Sequence, residues 1–522
     1  MSPGWINVSL GECVTLVAGV GFPKHLQGQT GQEVPVYKVG DISRLVTGGG
    51  RFLRESPNTL SMQEALNLAS RLVPKDATAF AKIGAAIALN RRAVTTRLCF
   101  FDNNVFAAIP AEDCLHPILL YYFLRCVKLD EYSRATTVPS LRKSDVEDIE
   151  FPLAPIREQH RIVEALDSYL SRLDAAEEGL KRVEANLKRY RASVLKAAVE
   201  GRLVPTEAEL ARQEGRDYEP APVLLERILK ERRRRWEEAE LAKMAAKGKV
   251  PKNDRWKAKY KEPVAPDASE LPELPEGWCW ASLDQLAWDS SYGTSIRCSP
   301  EADGLPVLRI PNVSDSRLRL SDMKFATRDL GLLPGQDLNE GDFLIIRTNG
   351  SRSLIGRAAF VDKSLQGSHF FASYLIRFRL AIPDSMTHIG CWLSYFWQAP
   401  DTRIKLEAMA ATSAGQYNLS MTSMSPLAIP LPPFPELVRV CGKLDDLLSV
   451  VEATAAAVNQ DADRTTSLRQ SILKWAFEGK LVDQDPNDEP ASKLLDRIRA
   501  ERAVIGKGKG RKRGQQMKPK LG

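Results

Sequence analysis

The 522-residue sequence has little of what an enzyme active site needs. It has no GxxxxGK[ST] run to cradle a nucleotide phosphate and no GxGxxG following a strand, which argues against a P-loop or a dinucleotide-type fold. Its five histidines are dispersed and set no metal-ligand spacing. Its eight cysteines stand singly with no CxxC pair, which fits buried, reduced thiols rather than a disulfide framework or a zinc site. The opening residues, MSPGWINVSLGEC, lack a basic start and an apolar run, so no signal peptide is expected. The most apolar short stretch, His116–Val127, is too short to span a bilayer. LPPF (Leu431–Phe434) superficially resembles the [DNS]PP[YF] motif of adenine methyltransferases, but Leu431 has no polar group to hold a base amino group. The sequence therefore implies no catalytic residue, no metal and no cofactor on this chain, and a cytoplasmic protein.

What the chain does have is a repeat. SVLKAAVEGRLV (Ser193–Val204) returns as SILKWAFEGKLV (Ser471–Val482), with eight of twelve positions identical. The match extends upstream without a gap: Pro152, Leu153, Pro155, Glu158, Arg161, Leu166, Asp167 and Leu170 all recur 278 residues later. Downstream, EPAPVLLERI (Glu219–Ile228) pairs with EPASKLLDRI (Glu489–Ile498). The starts of the halves match more faintly, GWINVSL (Gly4–Leu10) with GWCWASL (Gly277–Leu283). Each half is a variable block followed by a shared helical block, as repeat architectures require.

The helical block reads as a coiled coil. From Pro155 to Glu200 there is no further proline and one glycine, Gly179. Leu166, Leu173, Leu180, Leu187 and Val194 fall on a heptad grid, with Tyr169, Ala176, Val183, Tyr190 and Ala197 three residues on as a second seam register. A helix of about 45 residues would be about 67 Å long, and Gly201 supplies its stop. The second copy keeps Leu444, Val451, Val458 and Ile472 on one register and Leu447, Leu468 and Trp475 on the other; Asp461 and Thr465 weaken its middle. The expected partner of each helix is the other copy, running antiparallel about a pseudo-twofold axis.

The variable blocks show short β-like runs broken by Gly, Pro, Asn and Asp, each ending in a helical stretch: Leu115–Val127 in the first and Ile389–Leu406 in the second. The fold class is α+β: two mixed α/β domains separated by two long antiparallel coiled-coil helices. The expected domains are residues 1–152, a first helical region 153–235, a basic linker 236–271, a second variable domain 272–430, a second helical region 431–505 and a basic disordered tail 506–522. Residues 227–262 hold fourteen Lys/Arg against six Asp/Glu, and 507–522 hold seven Lys/Arg and no acid. Both segments look mobile and able to bind phosphate backbones.

Candidate DNA-contacting residues lie at loop positions. In the first block they are Lys24, Lys82, Arg91, Arg92, Arg97 and Arg134. In the second they are Arg297, Arg347, Asn349, Ser351, Arg352, Arg357, Gln416, Tyr417 and Asn418. Arg pairs bidentately with guanine and Asn or Gln with adenine, so as a set they point to DNA reading.

The twin blocks PLAPIREQHRIV and PLPPFPELVRV with their heptads, the SVLKAAVEGRLVP and SILKWAFEGKLVDQDPNDEPASKLLDRI ends, the entry LPELPEGWCWASL and the core GDFLIIRTNGS…LIGRAAFV together resemble the specificity subunit of type I restriction-modification systems. The resemblance covers about residues 1–505. It implies two target recognition domains, each reading half of a bipartite target in double-stranded DNA, and conserved helices acting as spacer and docking surface. It implies no chemistry on this chain. Two methyltransferase subunits would bind S-adenosylmethionine and methylate adenine, and restriction subunits would add ATP- and Mg-dependent functions. The first block departs from the second in lacking its TNGS polar run. The competing readings are a standalone DNA-binding coiled-coil regulator or scaffold, and an enzyme with an unrecognised nuclease site.

Overall fold

The computed structural model describes residues 3–68, 72–133, 138–301, 304–314, 316–326, 336–382, 388–413 and 415–500. Two compact units emerge: Met1–Lys181 with Asn459–Gly522, and Arg182–Val458. Each unit is thus assembled from both halves of the repeat, and its borders fall inside the long helices.

In the first unit, strand Ile6–Ser9 pairs antiparallel with Glu150–Leu153, so the start and end of the variable block close on each other. Cys279–Ser282 and Ala428–Leu431 do the same in the second unit. Between these closures both units carry one topology, although their sequences barely match. A main sheet runs Val14–Ala18, Val105–Pro110, Thr78–Ala81, Arg92–Thr95 and Phe52–Leu53 in the first unit. Its counterpart runs Ala287–Tyr292, Leu375–Leu380, Asp342–Ile346 and Ala358–Phe360. Beside it, Val34–Tyr37 pairs antiparallel with Thr59–Leu60 and parallel with Phe100–Phe101. Leu305–Leu308 repeats this with Lys324–Ala326 and Phe370–Phe371. The central strands are buried along their whole length, which is why they read as continuous apolar runs. The terminal helical stretch of the first block is Pro117–Cys126. That of the second is two helices, His388–Gln398 and Pro400–Met409, because Pro400 cannot continue the first and opens the next.

The two long helices are Ile156–Val199 and Phe434–Phe477, 44 residues each. Their stops are the same device. Gly201 and Gly479 both have φ +68°. Arg202 N–H donates to Ala197 O at 2.8 Å, and Lys480 N–H to Trp475 O at 2.9 Å. These bonds close the last turn in the left-handed glycine motif. At Gly201 a Cβ would also strike Pro275 and Trp278, so the glycine is needed for packing as well.

Within each unit the segments of the two helices run antiparallel. In the first, Leu166 and Leu170 share a buried cluster with Ile472 and Ala476. Arg469 bonds Asp174 at 2.6 Å, and Arg161 bonds Asp488 at 2.7 Å. In the second, Val194, Leu195 and Ala198 share a cluster with Val440, Leu444 and Leu448, and Arg191 pairs with Glu452 at 3.7 Å.

The first heptad register is the seam. Leu166 and Val194 are buried and Leu173, Leu180 and Leu187 half-buried on one helix, and Leu444, Val451, Val458 and Ile472 are buried on the other. The second register is a correction. Tyr169, Val183 and Tyr190 are 42%, 39% and 47% exposed, and Leu468 and Trp475 are 49% and 46% exposed. The companion row lies four residues on, not three: Leu170, Glu177, Glu184, Arg191 and Ala198 on one helix, Leu448, Ala455, Ala462, Arg469 and Ala476 on the other. On the first helix it is charged between its apolar ends and on the second it carries one charge, Arg469; Glu177 meets Arg469, and Arg191 meets Glu452 beside the row. Thr465 does not break the seam; it is buried on the main register, and its hydroxyl donates to the Asp461 carbonyl at 2.8 Å.

Each unit is completed by a segment that follows the long helix coming after the other unit's variable block. Residues 491–500 are helical, and Ala491, Leu494, Leu495 and Ile498 join Val8, Leu10, Phe151 and Leu153 in one core. Ala221, Leu224 and Ile228 join Trp278, Ala281, Ile429 and Leu431 in the other. The backbone joins match: Ala491 N–H to Gly4 O at 2.8 Å and Ala221 N–H to Gly277 O at 2.7 Å. In the second unit the joint is sealed by Glu207, which accepts from Arg439 at 2.6 Å and Arg216 at 2.7 Å. Glu436 accepts there from Trp278 Nε1 at 3.0 Å and from Glu207 N–H at 2.8 Å.

The arginine-rich helix Ala221–Ala246 runs eleven residues into the segment expected to be linker. Its Arg232 is buried, donating to the Asp284 and Ala287 carbonyls and to Tyr260 Oη. Residues 501–522, with the basic tail, lie outside the described residues.

Leu444 and Leu468 separate the two registers experimentally. Leu444→Ala should cost about 2–5 kcal/mol by denaturant unfolding, and Leu468→Ala within about 0.5 kcal/mol of zero. Equal losses would restore the three-residue spacing.

Candidate nucleic-acid interface

The second unit gathers most of its predicted residues on one small sheet and the loop beside it. Strand Asp342–Ile346 leads directly into Arg347, Thr348 and Asn349. Thr348–Asn349 pairs antiparallel with Gln416–Asn418, which pairs with Ala411–Ser413. Segments almost seventy positions apart in sequence therefore lie side by side, Thr348 opposite Asn418 and Asn349 opposite Tyr417. The Thr348 hydroxyl donates to Asn418 Oδ1 at 2.7 Å, and Leu419 N–H donates to Arg347 O at 2.8 Å. Asn349 Oδ1 accepts from Ser351 N–H at 2.7 Å, making a tight turn. Gln416 and Ser351 are exposed; Asn349, Tyr417 and Asn418 are half-buried.

The arginines divide by role. Arg347 stacks over Tyr292 at 4.3 Å and is half-buried, so its guanidinium face is already occupied. Arg352 is exposed, with Nη2 donating to Glu407 O at 3.5 Å. Arg357 donates to Ser353 O at 3.1 Å across the same loop. The loop is held from beneath by Trp397 Nε1 to Gly356 O at 2.7 Å and by Arg403 Nη2 to Ile355 O at 2.7 Å. Arg297 lies between strands Ala287–Tyr292 and Cys298–Ser299, outside this sheet.

The strand that delivers Arg347 and Asn349 is anchored by buried charge. Arg379 makes a bidentate pair with Asp342, Nε to Oδ1 at 2.8 Å and Nη2 to Oδ2 at 2.9 Å. Arg377, buried, pairs with Asp289 and donates to Asp337 O at 3.1 Å. Burial pulls the Arg377 guanidinium below its ordinary range, whereas the Asp342 carboxylate holds Arg379 above it against its own burial. Sequence reading missed this layer, and also Tyr292 and Thr348; nothing in their local spacing marks them.

In the first unit the corresponding loop joins Thr78–Ala81 to Arg92–Thr95. Lys82 and Arg91 sit at its two ends, with Lys82 Nζ 5.1 Å over the Phe106 ring. Arg92 is a correction: it is 1% exposed, donates to Leu124 O at 3.1 Å and to Arg91 O at 3.0 Å, and lies over Phe80. Burial pushes its pKa down to about 9. It closes the end of helix Pro117–Cys126 and is unavailable to a base. Lys24 and Arg97 lie on other segments, and Arg134 lies outside the described residues. The structure thus brings together a polar surface in the second unit and a thinner pair, Lys82 and Arg91, in the first.

Both domains are latched to a long helix in the same way. Tyr122 Oη donates to Asp167 at 2.5 Å, reinforced by Arg51 to Asp167 at 2.6 Å. Tyr395 Oη donates to Asp445, the repeat counterpart of Asp167. In each latch burial and the neighbouring carboxylate push the phenol pKa well above its ordinary value.

Among the described residues no group of three or more His, Cys, Asp or Glu is placed to hold a metal ion, and none of the eight cysteines is in a disulfide. No helix of the described residues is long and apolar enough to cross a membrane.

A domain fold built twice, with its differences in the loops and its frame repeated in the helices, defines a tandem-repeat architecture. Residues 4–185 match the family model of the type I restriction modification DNA specificity domain. The chain is 24% identical over 521 residues to the type I restriction enzyme StySPI specificity subunit of Salmonella potsdam, covering 96% of each. It is 24% identical over 390 residues to the EcoKI specificity subunit of Escherichia coli (strain K12), covering 73% of this chain and 69% of that one. A solved structure describing complex assembly and conformational transition of the type I R-M system shares the fold, with TM-score 0.55, 20% identity and coverage of 92% of this chain and 99% of that one. Residues 4–185 thus match a type I DNA specificity domain, and the chain is similar along nearly its whole length to a type I specificity subunit.

Asp342→Asn leaves Arg379 buried beside a neutral group. Breaking such a pair should cost about 3–5 kcal/mol, read as a lowered denaturant midpoint. A midpoint within error of wild type would show that the pair does not anchor the strand.

Proposed function

We propose that this chain is the DNA-reading subunit of a type I restriction-modification complex, with one half of a bipartite duplex target read by each variable domain. The observation that carries this reading is the pairing of one repeated frame with two different loop sets. In the second unit, Asn349, Ser351, Gln416, Tyr417 and Asn418 supply adaptable donors and acceptors on a stiff support. Amide side chains of this kind suit adenine edges in the major groove, and each good bidentate pair is worth about 1–3 kcal/mol of discrimination. Arg352 and Arg357 add charge-assisted contacts to phosphate or guanine. In the first unit, Lys82, Arg91, Lys24 and Arg97 take this part, with less amide chemistry available.

The matched long helices serve as the spacer. Half-sites read from one face of B-DNA recur about every 34 Å, so an unread gap of set length follows. The exposed apolar residues Tyr169, Val183, Tyr190, Leu468 and Trp475 are the natural seats for two methyltransferase subunits, since apolar side chains this large are left in water at a cost unless covered. On this reading the chain has no catalytic residue and binds no cofactor. S-adenosylmethionine sits on the methyltransferase subunits, ATP and Mg on the restriction subunits, and the complex works in the cytoplasm. A standalone regulator has no support from a likeness that runs the length of a curated specificity subunit.

The test is the methylated motif of host DNA carrying this chain with its partner subunits. Asn349→Ala with Gln416→Ala should relax one half of a bipartite motif, with about 5- to 150-fold lower discrimination there, and leave the other half intact. A motif unaltered in both halves, or altered in both, would contradict the assignment.

A further inference from the structure

The arginine-rich helix Ala221–Ala246 sorts its charges by position. Along its body every cation except Lys230 has an acidic partner among the described residues, Arg232 pairing with Asp284 at 3.6 Å. Arg227 pairs with Glu219, Arg233 with Glu237, Arg234 with Glu231 and Glu238, Arg235 with Glu231, and Lys243 with Glu240. Beyond Ala246 this stops. Residues 247–261 contain seven Lys/Arg and one acid, Asp254. Of the seven, Lys257 has acidic partners, Glu237 at 3.5 Å and Asp254 at 3.7 Å. Among the described residues, Lys247, Lys249, Lys252, Arg255, Lys259 and Lys261 have no acidic partner.

A solvated linker of that composition would repel itself and extend. This one is folded back and pinned. Trp236 stacks on Trp256 at 6.0 Å and 20°, and meets Tyr260 edge-on at 5.2 Å. The buried Arg232 donates to Tyr260 Oη at 2.6 Å and to Lys261 O at 3.2 Å, while its Nε holds the Asp284 and Ala287 carbonyls of the domain. Val264 N–H donates to Asp284 at 2.9 Å, and the Ser282 hydroxyl to Val264 O at 2.5 Å. Two tryptophans, a tyrosine and a buried arginine therefore hold like charges together against their repulsion. A concentration of cations without base-reading amides, fixed to a domain rather than left loose, fits one polyanion: the phosphate backbone of duplex DNA.

We infer that the hairpin formed by the end of this helix and the turn Asp254–Lys259 is a second DNA-binding surface, separate from the base-reading sheet, that grips phosphates without regard to sequence. It rests on the DNA-reading function proposed above. It raises affinity for any duplex equally, and so contributes to the search for a site rather than the choice of one.

The test uses the full chain and a random-sequence duplex, with binding measured across a salt series. Lys247, Lys249, Lys252 and Lys259 are changed together to Gln, and in a second variant to Arg. The Gln variant should bind more weakly, with a slope of log affinity on log salt shallower by about 0.9 for each phosphate the lysines no longer neutralise. The Arg variant should keep the wild-type slope, and the methylated motif should be the same for all three. A Gln variant with wild-type slope and affinity overturns the grip, whether its charges are merely solvated or face a protein. If the wild-type chain binds no duplex at all, the DNA reading falls and the grip with it; if it binds and the Gln variant is unchanged, the grip alone falls.

Discussion

Everything in this chain depends on the packing of two long helices, Ile156–Val199 and Phe434–Phe477, each shared between two folded units. The core of the first unit needs Ile472, Ala476, Ala491 and Leu494 from the end of the chain. The core of the second needs Val194, Ala198, Ala221 and Leu224 from the first half of the repeat. A domain closed this way exposes part of its apolar core if the far segment that completes it is missing, so the packing favours two matched copies. That is why Pro155, Glu158, Arg161, Leu166 and Asp167 all have counterparts 278 positions on. They begin the helices, line the seam and hold the domain latches, Tyr122 to Asp167 and Tyr395 to Asp445.

With the frame fixed, the variable domains are free to differ. Their main sheets share strand order, and even the parallel pairing of Val36 with Phe100 is repeated by Val307 with Phe370. What differs is the loop between the two inner strands. In one unit it is mostly apolar and tied to helix Pro117–Cys126 through Asn90 and Arg92. In the other it carries Asn349, Ser351 and Arg352 and meets the Gln416–Asn418 strand. A rigid scaffold with interchangeable loops is how recognition proteins commonly separate stability from specificity.

Much of this was legible in the sequence, because the features with strong periodicity or strong backbone demands are local. The helices, their glycine stops and the repeat all read directly. The seam was half legible: Leu166, Leu173 and Leu444 mark one register, but Tyr169, Tyr190, Leu468 and Trp475 are apolar at a three-residue offset while the true companion row contains Glu177, Arg191 and Arg469. Cross-helix ion pairs let charged residues occupy that row, and hydropathy cannot see a pair. The small polar sheet of the second unit was legible as residue types but not as a surface, since the pairing of Thr348 with Asn418 is non-local. Arg92 looked like a base-reading residue because sequence gives its charge and not its burial against Leu124. The linker looked free because its Trp236–Trp256 stack and the bond from Arg232 to Tyr260 form only in the fold.

If the helix pair sets the distance between two readers, its length is the quantity to change. One heptad inserted into both long helices at matching positions keeps every seam residue in phase and adds about 10 Å of helix. Sequencing the methylated motif of host DNA should then return the same two half-sequences with a longer gap between them. The same half-sequences with an unchanged gap would contradict the account.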